Sequence, residues 1–298
     1  MTLRMTLALL LIIPAAMTYP WQSVHHRWLL GVAVAVVLIL FARWRGNFVT
    51  TLTGRRAAVW RRNHAKPQAT AVDRASVVLG VQAGHHDALP VTELAGYLDR
   101  YGVRCESVRV ISRDEGGRRD TWVSLIVDAA ANLAALQARS PDLPLAETAE
   151  VLGRRVAEFL REQGLTVSVA EAAPAPLQAG AREGWREVRD DEGYVTGYLL
   201  AADALPDALA ELRSDSELWT VLEFSGAPAH PVVTAACAVR TVERPASVAV
   251  DGLVAAPGLQ RPLLTAMAPQ SACRLPVTPA AVPAGLTWSV GAAGAAVS

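Results

Sequence analysis

A run of three carboxylates is the first feature of this sequence that could do chemistry. Asp190, Asp191 and Glu192 are adjacent, and grouped carboxylates can hold the divalent cation that glycosyl transfer from a sugar nucleotide often needs. Gly193 follows directly, and acidic residues beside a glycine are typical of a solvated turn. We therefore favour a turn, and keep as the alternative a membrane-anchored, glycosyltransferase-like enzyme with its carboxylates near Asp190.

Histidines and cysteines offer little further chemistry. His25-His26 and His85-His86 are adjacent pairs, and neighbouring side chains on a strand or helix point in different directions, so a shared metal would need distant partners. Cys105, Cys237 and Cys273 are widely spaced and form no C-x-x-C motif. We predict buried, inert thiols in a reducing compartment, and no metal, cofactor-binding or catalytic residues.

Nucleotide and hydrolase motifs are missing from the sequence. It contains no G-x-x-x-x-G-K-[ST], G-x-G-x-x-G, G-x-S-x-G or H-E-x-x-H motif. The only lysine is Lys66, which precedes the globular part of the chain, so a P-loop ATPase is excluded. The prediction is a protein that is not an enzyme, with no cofactor and no small-molecule substrate.

The chain of 298 residues has 28 basic and 28 acidic side chains, so its formal charges sum to zero. The two signs are nevertheless distributed unevenly along the chain. No Asp or Glu precedes Asp73, whereas that stretch carries nine basic residues, and the acidic excess falls entirely after it. Such an asymmetry favours a membrane surface or a partner protein for the basic part.

Two apolar segments lie within the basic part, at about residues 3–21 and 28–44. Trp21, Trp28 and Trp44 stand at their ends, where indole rings anchor helices at the membrane interface. We predict a transmembrane helical hairpin over residues 1–45. A cleaved signal peptide is the alternative interpretation of the first segment.

Basic residues set the predicted orientation of this hairpin. Seven of them lie between Arg43 and Lys66, so the positive-inside rule places the N-terminus and the C-terminal domain in the cytoplasm, on an inner membrane. Residues 46–72 are predicted to form a basic juxtamembrane helix and linker. Anionic lipid headgroups are its expected partner, and nucleic acid is not.

Residues 73–171 predict an α/β (α+β) subdomain with the order β-α-β-β-α-β, as in ferredoxin-like domains. The apolar periodicity and the glycine stops predict strands over 76–82, 103–112, 119–128 and 165–170, and helices over 91–101 and 145–163. Within the second strand, Val108 and Val110 alternate with polar residues, as in a half-buried strand.

A second α/β subdomain is predicted over residues 182–245. Its strands are expected over 194–201, 219–224 and 232–241, with a short helix over 204–213. Residues 246–298 are rich in Ala, Pro and Gly and nearly uncharged, so we expect a tail that lies along the surface or is partly disordered.

Several sequence blocks resemble the EccE family of the type VII (ESX) secretion machinery. These blocks are YPWQ at 19–22, RWLLGVAVAV from Arg27, RWRGNFVTT from Arg43, YLDRYGV from Tyr97, the stretch from Asn132 to Arg155, WTVLEFSG from Trp219 and AVRT ending at Thr241. The sequence is most similar to the EccE of the ESX system linked to iron and zinc acquisition.

The resemblance implies a non-catalytic structural subunit of an inner-membrane complex. It further implies assembly with EccB, EccC and EccD, among which EccC is the ATPase, and a role in a system that is important for iron and zinc homeostasis. The blocks are not catalytic signatures, so they imply no site residues.

Overall fold

A computed structural model describes residues 24–41, 43–44, 47–64, 73–212, 216–244 and 252–291, with a few isolated positions before residue 18. The chain divides into two compact units, Met1–Ala65 and Lys66–Ser298. The boundary lies close to the change from basic to acidic composition.

The N-terminal unit contains two helices and a short hairpin. Helix α1 spans Val24–Phe41, strands β1 (Arg43–Trp44) and β2 (Asn47–Phe48) pair antiparallel, and helix α2 spans Val49–His64. Helix α2 lies within residues 46–72, where the sequence predicts a basic helix and linker. Large apolar side chains are exposed along α1, and Trp28 has 71% of its surface accessible.

The predicted transmembrane pair is not supported by the described residues. Within them, no helix combines the length and the apolarity that crossing a membrane requires. The second segment differs from the prediction because α1 takes in His25, His26 and Arg27 and ends at Phe41. Its apolar part from Trp28 is thus about 21 Å long, against ~30 Å for a hydrocarbon core. The first segment lies mostly outside the described residues.

The C-terminal unit is a mixed α/β domain dominated by an antiparallel sheet. In its first half the elements are β3 (Arg74–Gln82), β4 (Ala88–Leu89), α3 (Val91–Ala95, continued by a 3₁₀ turn over Gly96–Leu98), β5 (Asp99–Arg100), β6 (Val103–Glu115), β7 (Arg118–Asp128), α4 (Leu133–Arg139), α5 (Leu145–Glu162) and β8 (Thr166–Val169). The main strands lie in the order β8-β3-β7-β6. This is the predicted β-α-β-β-α-β sequence of elements, with the first strand between the fourth and the third.

Turn chemistry explains the long hairpin at the centre of this half. Strands β6 and β7 pair from Glu115↔Arg118 inward, so only Gly116 and Gly117 form the turn. Both have positive φ (57° and 78°), which a two-residue type I′ turn requires and glycine adopts without strain.

The second half adds ten elements within its described residues. These are β9 (Arg182–Glu183), β10 (Val188–Asp190), β11 (Gly193–Leu200), α6 (Leu205–Glu211), β12 (Leu218–Ala227), β13 (His230–Thr241), β14 (Leu253–Ala255), α7 (Gln260–Met267) and β15 (Ala280–Ala281), and the unit closes with β16 (Trp288–Ser289). The three long strands and the short helix lie where the sequence predicts them.

Both halves belong to one sheet. Strand β12 pairs antiparallel with β6 from Leu218↔Asp114 to Phe224↔Val108, which gives the continuous order β8-β3-β7-β6-β12-β13-β11-β10-β9. One face carries a core closed by α3, α5 and α6. The other carries a second core that includes Trp122, Trp219 and the apolar residues of α7.

The expectation of a surface tail is wrong for residues 252–291. Leu263, Leu264 and Met267 of α7 are fully buried, and Trp288 is nearly so. The low charge of this segment therefore reflects its burial against the sheet, since the apolar face of a sheet needs an apolar cover.

Candidate functional site

A buried ion pair lies where the two halves of the sheet meet. Arg109 on β6 and Glu223 on β12 are direct partners in the register, and both side chains are 0% exposed. Arg109 Nε donates to Glu223 Oε2 at 2.8 Å, and Arg109 Nη2 lies 2.7 Å from the same oxygen. Isolated charges are very costly inside a protein, so this pair requires full compensation.

The end of α7 and the segment after it supply that compensation. Arg109 Nη1 donates to the carbonyls of Ala266 (3.1 Å) and Ser271 (2.7 Å), and Nη2 donates to the carbonyl of Cys273. All five N–H groups of the Arg109 guanidinium thus have acceptors. On the acid, Arg274 Nε donates to Glu223 Oε1 at 3.1 Å and the Leu275 N–H donates to Oε2 at 3.3 Å.

Two serines continue the same polar row across the sheet. Ser124 Oγ on β7 donates to the carbonyl of Pro269 at 2.6 Å, and Ser76 Oγ on β3 donates to that of Gln270 at 3.1 Å. Burial lowers the pKa of Arg109, and the charge of Glu223 opposes this effect. The row therefore fastens residues 266–275 across strands β3, β7, β6 and β12.

A second ion network lies at the other end of β12 and β13. Arg240 Nε donates to Glu217 Oε2 at 2.6 Å and its Nη1 to Asp190 Oδ1 at 2.7 Å, while Arg113 Nε donates to Glu217 Oε1 at 2.6 Å. Burial acts to lower the pKa of Arg240, but hydrogen bonds to Asp190 and Glu217 outweigh it and the pKa is raised. These contacts bind three strands and the loop at Pro176 together.

The carboxylate run considered for metal chemistry lies in this network. Asp190 ends β10 and pairs with Gly193 across a tight turn, which confirms the predicted turn. Its side chain is buried and bonded to Arg240, and Asp190 Oδ1 also accepts the Glu192 N–H at 3.1 Å. The Asp190 carboxylate is therefore paired with Arg240. The described part of the chain holds no group of three possible metal ligands.

The second histidine pair, Asp114 and two core tryptophans each make local contacts of their own. The exposed pair His85-His86 follows β3, and the His85 N–H donates to the Gly164 carbonyl at 2.8 Å. Asp114 binds Arg119 through both carboxylate oxygens (2.7 and 2.8 Å). Trp122 and Trp219 stack in the second core with ring centroids 5.9 Å apart.

Two of the three cysteines fit the prediction of inert thiols. Burial raises the pKa of Cys105 and of Cys237 to about 12, so neither is a thiolate at neutral pH. Cys273 is exposed, in contrast to the prediction.

Sequence reasoning missed Arg109 and Glu223. Alternation around Val108 and Val110 places Arg109 on the opposite face of β6, which the sequence alone predicts to be solvated. A sequence signal existed for Glu223, the one charged residue of β12, but not for Arg109, because β6 carries several other charged residues.

Together the geometry defines a class: a mixed α/β domain whose buried charges hold strands and a C-terminal segment in place. The family described as "Putative type VII ESX secretion system translocon, EccE" matches residues 116–200. ESX-3 secretion system protein EccE3 of Mycolicibacterium smegmatis is 48% identical over 97% of this chain and 95% of its own length. The chain belongs to the EccE family.

Two further relatives show how the similarity is distributed. ESX-3 secretion system protein EccE3 of Mycobacterium tuberculosis is 44% identical over 91% of this chain and 86% of its own length. ESX-2 secretion system protein EccE2 of the same species is 29% identical, over 35% of this chain and 20% of its own length. Similarity therefore extends along nearly the whole chain for proteins named ESX-3.

Proposed function

We propose that this chain is a structural subunit of a type VII secretion complex of the ESX-3 kind. The observation that carries the proposal is the 48% identity to an ESX-3 EccE3 over nearly the full length of both chains. A non-catalytic role is supported by the way Arg109, Glu223, Arg240 and Asp190 bond to each other and to the backbone. Their charges stabilise the fold instead of facing a substrate.

The proposed partners are the subunits EccB, EccC and EccD, as the family resemblance implies. The acidic C-terminal unit would dock on neighbouring subunits, with EccC supplying the ATPase activity. Purification of the tagged full chain in mild detergent tests this proposal. We expect the partner subunits in a fixed ratio. A chain that purifies alone, from membranes that do yield an EccB–EccC–EccD complex, would overturn it.

We further propose that the N-terminal unit attaches the chain to the inner membrane, with the C-terminal unit on the cytoplasmic side. Supporting features are the apolar segments at 3–21 and 28–44, the basic residues after them, and the exposed Trp28, Val32 and Val34 of α1. Alkaline carbonate extraction should leave the chain in the membrane pellet. Release into the supernatant would refute the helical hairpin as its anchor.

Orientation can be tested with a native residue. Cys273 is the one cysteine that is exposed in the C-terminal unit. A membrane-impermeant maleimide should therefore label it in inside-out vesicles and leave it unlabelled in intact spheroplasts. Labelling in spheroplasts would place the C-terminal unit on the opposite side.

A role in iron and zinc homeostasis is the most specific part of the proposal. It is supported by the family resemblance alone. Deletion of the gene should slow growth when iron or zinc is chelated, and the intact gene should restore it. Equal growth of the deletion and parent strains under both limitations would remove this part of the proposal and leave the assembly role untouched.

A further inference from the structure

Strand β8 forms an open edge of the large sheet. It pairs with β3 on one side, and among the described strands none pairs with its other side. Its four residues, Thr166–Val169, include no charge and no proline, which are the usual means of protecting an edge from further pairing. Val169 is 61% exposed.

Hydrogen-bond parity shows which backbone groups this edge offers. The Ala170 N–H donates to the Val78 carbonyl at 2.9 Å, and pairs alternate between bonded and non-bonded along an antiparallel ladder. With Leu79 opposite Val169, the N–H and C=O of Val167 and Val169 point away from β3. Arg161 Nη2 already donates to the Val167 carbonyl at 2.8 Å. The Val169 N–H can therefore donate to a new strand, and the Val169 C=O can accept from it.

A hollow of about 430 Å³ lies on the sheet face beside this edge. Gly80 of β3 forms its floor, because the residue has no side chain and stands in register between Trp122 of β7 and Ser168 of β8. Asp120 and Glu171 line its rim. Arg118 already pairs with Asp120 at 2.8 Å, so the indole wall and the Glu171 carboxylate are the groups that suit a cationic side chain, through cation–π attraction and charge.

We propose that an extended segment of a partner protein adds to β8 as a further strand and places a basic side chain in this hollow. The partner's cation is favoured because Glu171 is exposed and pairs with no arginine of the described part of the chain, and because acidic residues outnumber basic ones from Asp73 onward. Main-chain hydrogen bonds supply affinity, and the hollow selects the segment. This inference deepens the proposed assembly role and rests on it.

Site-specific photocrosslinking in the purified complex tests the proposal. A benzophenone amino acid replaces Val169, and the matched control replaces Val254, an exposed valine in the short strand β14. We expect position 169 to cross-link to a subunit segment that carries Lys or Arg within a few residues, and position 254 not to do so. Cross-links from 169 to a second copy of this chain, to lipid, or to nothing would overturn the proposal.

Two variants test the hollow and the edge separately. Glu171→Gln should lower the yield of the 169 cross-link about fivefold, the effect expected for one ion pair, while Glu93→Gln, another exposed acid, should not change it. Val169→Pro removes an N–H that faces away from β3, so the domain should keep its unfolding midpoint and lose the partner contact. Unchanged subunit retention in both variants would refute strand addition.

The two levels of the proposal fail differently. If the unmodified chain purifies without partner subunits, the assembly role itself is wrong. If the complex forms and neither Val169→Pro nor Glu171→Gln alters retention or cross-linking, only the docking site is wrong.

Discussion

Replacing Arg109 with methionine should destabilise the C-terminal unit by about 4 kcal/mol. Breaking a fully buried ion pair costs about 3–5 kcal/mol because the remaining charge is left uncompensated. Here Glu223 would keep Arg274 and the Leu275 N–H as donors, which reduces the loss. Three backbone carbonyls would lose their donor, which adds to it by about 1 kcal/mol for each bond that water does not replace.

This loss is large compared with the ~5–15 kcal/mol that stabilises a typical domain. It can be measured by urea denaturation of the purified full chain, followed by tryptophan fluorescence, since Trp122 and Trp219 lie in the core closed by α7. Arg118→Met is the matched control, because Arg118 is exposed and, among the described residues, forms its ion pair with Asp120 alone. It should cost no more than ~0.5 kcal/mol.

A double variant separates the ion pair from simple loss of packing. Arg109→Met with Glu223→Met removes both charges, so it should be more stable than Arg109→Met alone by about 2 kcal/mol. The reasoning is refuted if the free energy of unfolding of Arg109→Met lies within ~1 kcal/mol of the parent value, or if the double variant is no more stable than the single one. In either case the ion pair does not hold β6 and β12 together.

Three further outcomes follow from burial. At pH 8 a maleimide should add once, to Cys273, and three times in urea; two additions to the folded chain would contradict the burial of Cys105 and Cys237. Because burial raises the pKa of those two thiols from 9.0 to about 12, the unfolded chain loses their protons first, so the free energy of unfolding should fall as pH rises from 9 to 12; a flat profile in urea titrations would contradict this. Gly153→Ala should cost about 1–3 kcal/mol because its Cβ would overlap a valine of β3, whereas Gly96→Ala, with open space and helical φ, should be neutral or stabilising in the same assay.

Local patterns in the sequence were sufficient for the elements of the C-terminal unit. Apolar spacing located α5, whose buried residues include Ala149, Leu152 and Val156 at helical intervals. Gly116-Gly117 located the β6–β7 hairpin, because that turn requires positive φ. Both signals act over a few residues, so they survive without knowledge of the rest of the fold.

Long-range features could not be predicted in the same way. Pairing of β6 with β12 joins residues that are more than a hundred positions apart. No local pattern in the sequence specifies which strand will pair with the free edge of β6. The cover formed by residues 252–291 lacks clear periodicity, so its low charge was compatible with a loose tail. The environment of Arg109 could not be predicted, because alternation reports which face of the strand a side chain occupies and says nothing of what covers that face.

The contacts of Arg109 also order events during synthesis. Glu223 comes 114 residues later in the chain and the carbonyl partners 157 to 164 residues later, so the first half of the sheet emerges from the ribosome long before the Arg109 guanidinium has all its acceptors. Until residue 275 has emerged, the sheet face around Arg109 stays uncovered, and chaperones or neighbouring subunits could bind there. Completion of the domain therefore waits for the segment that carries residues 266–275.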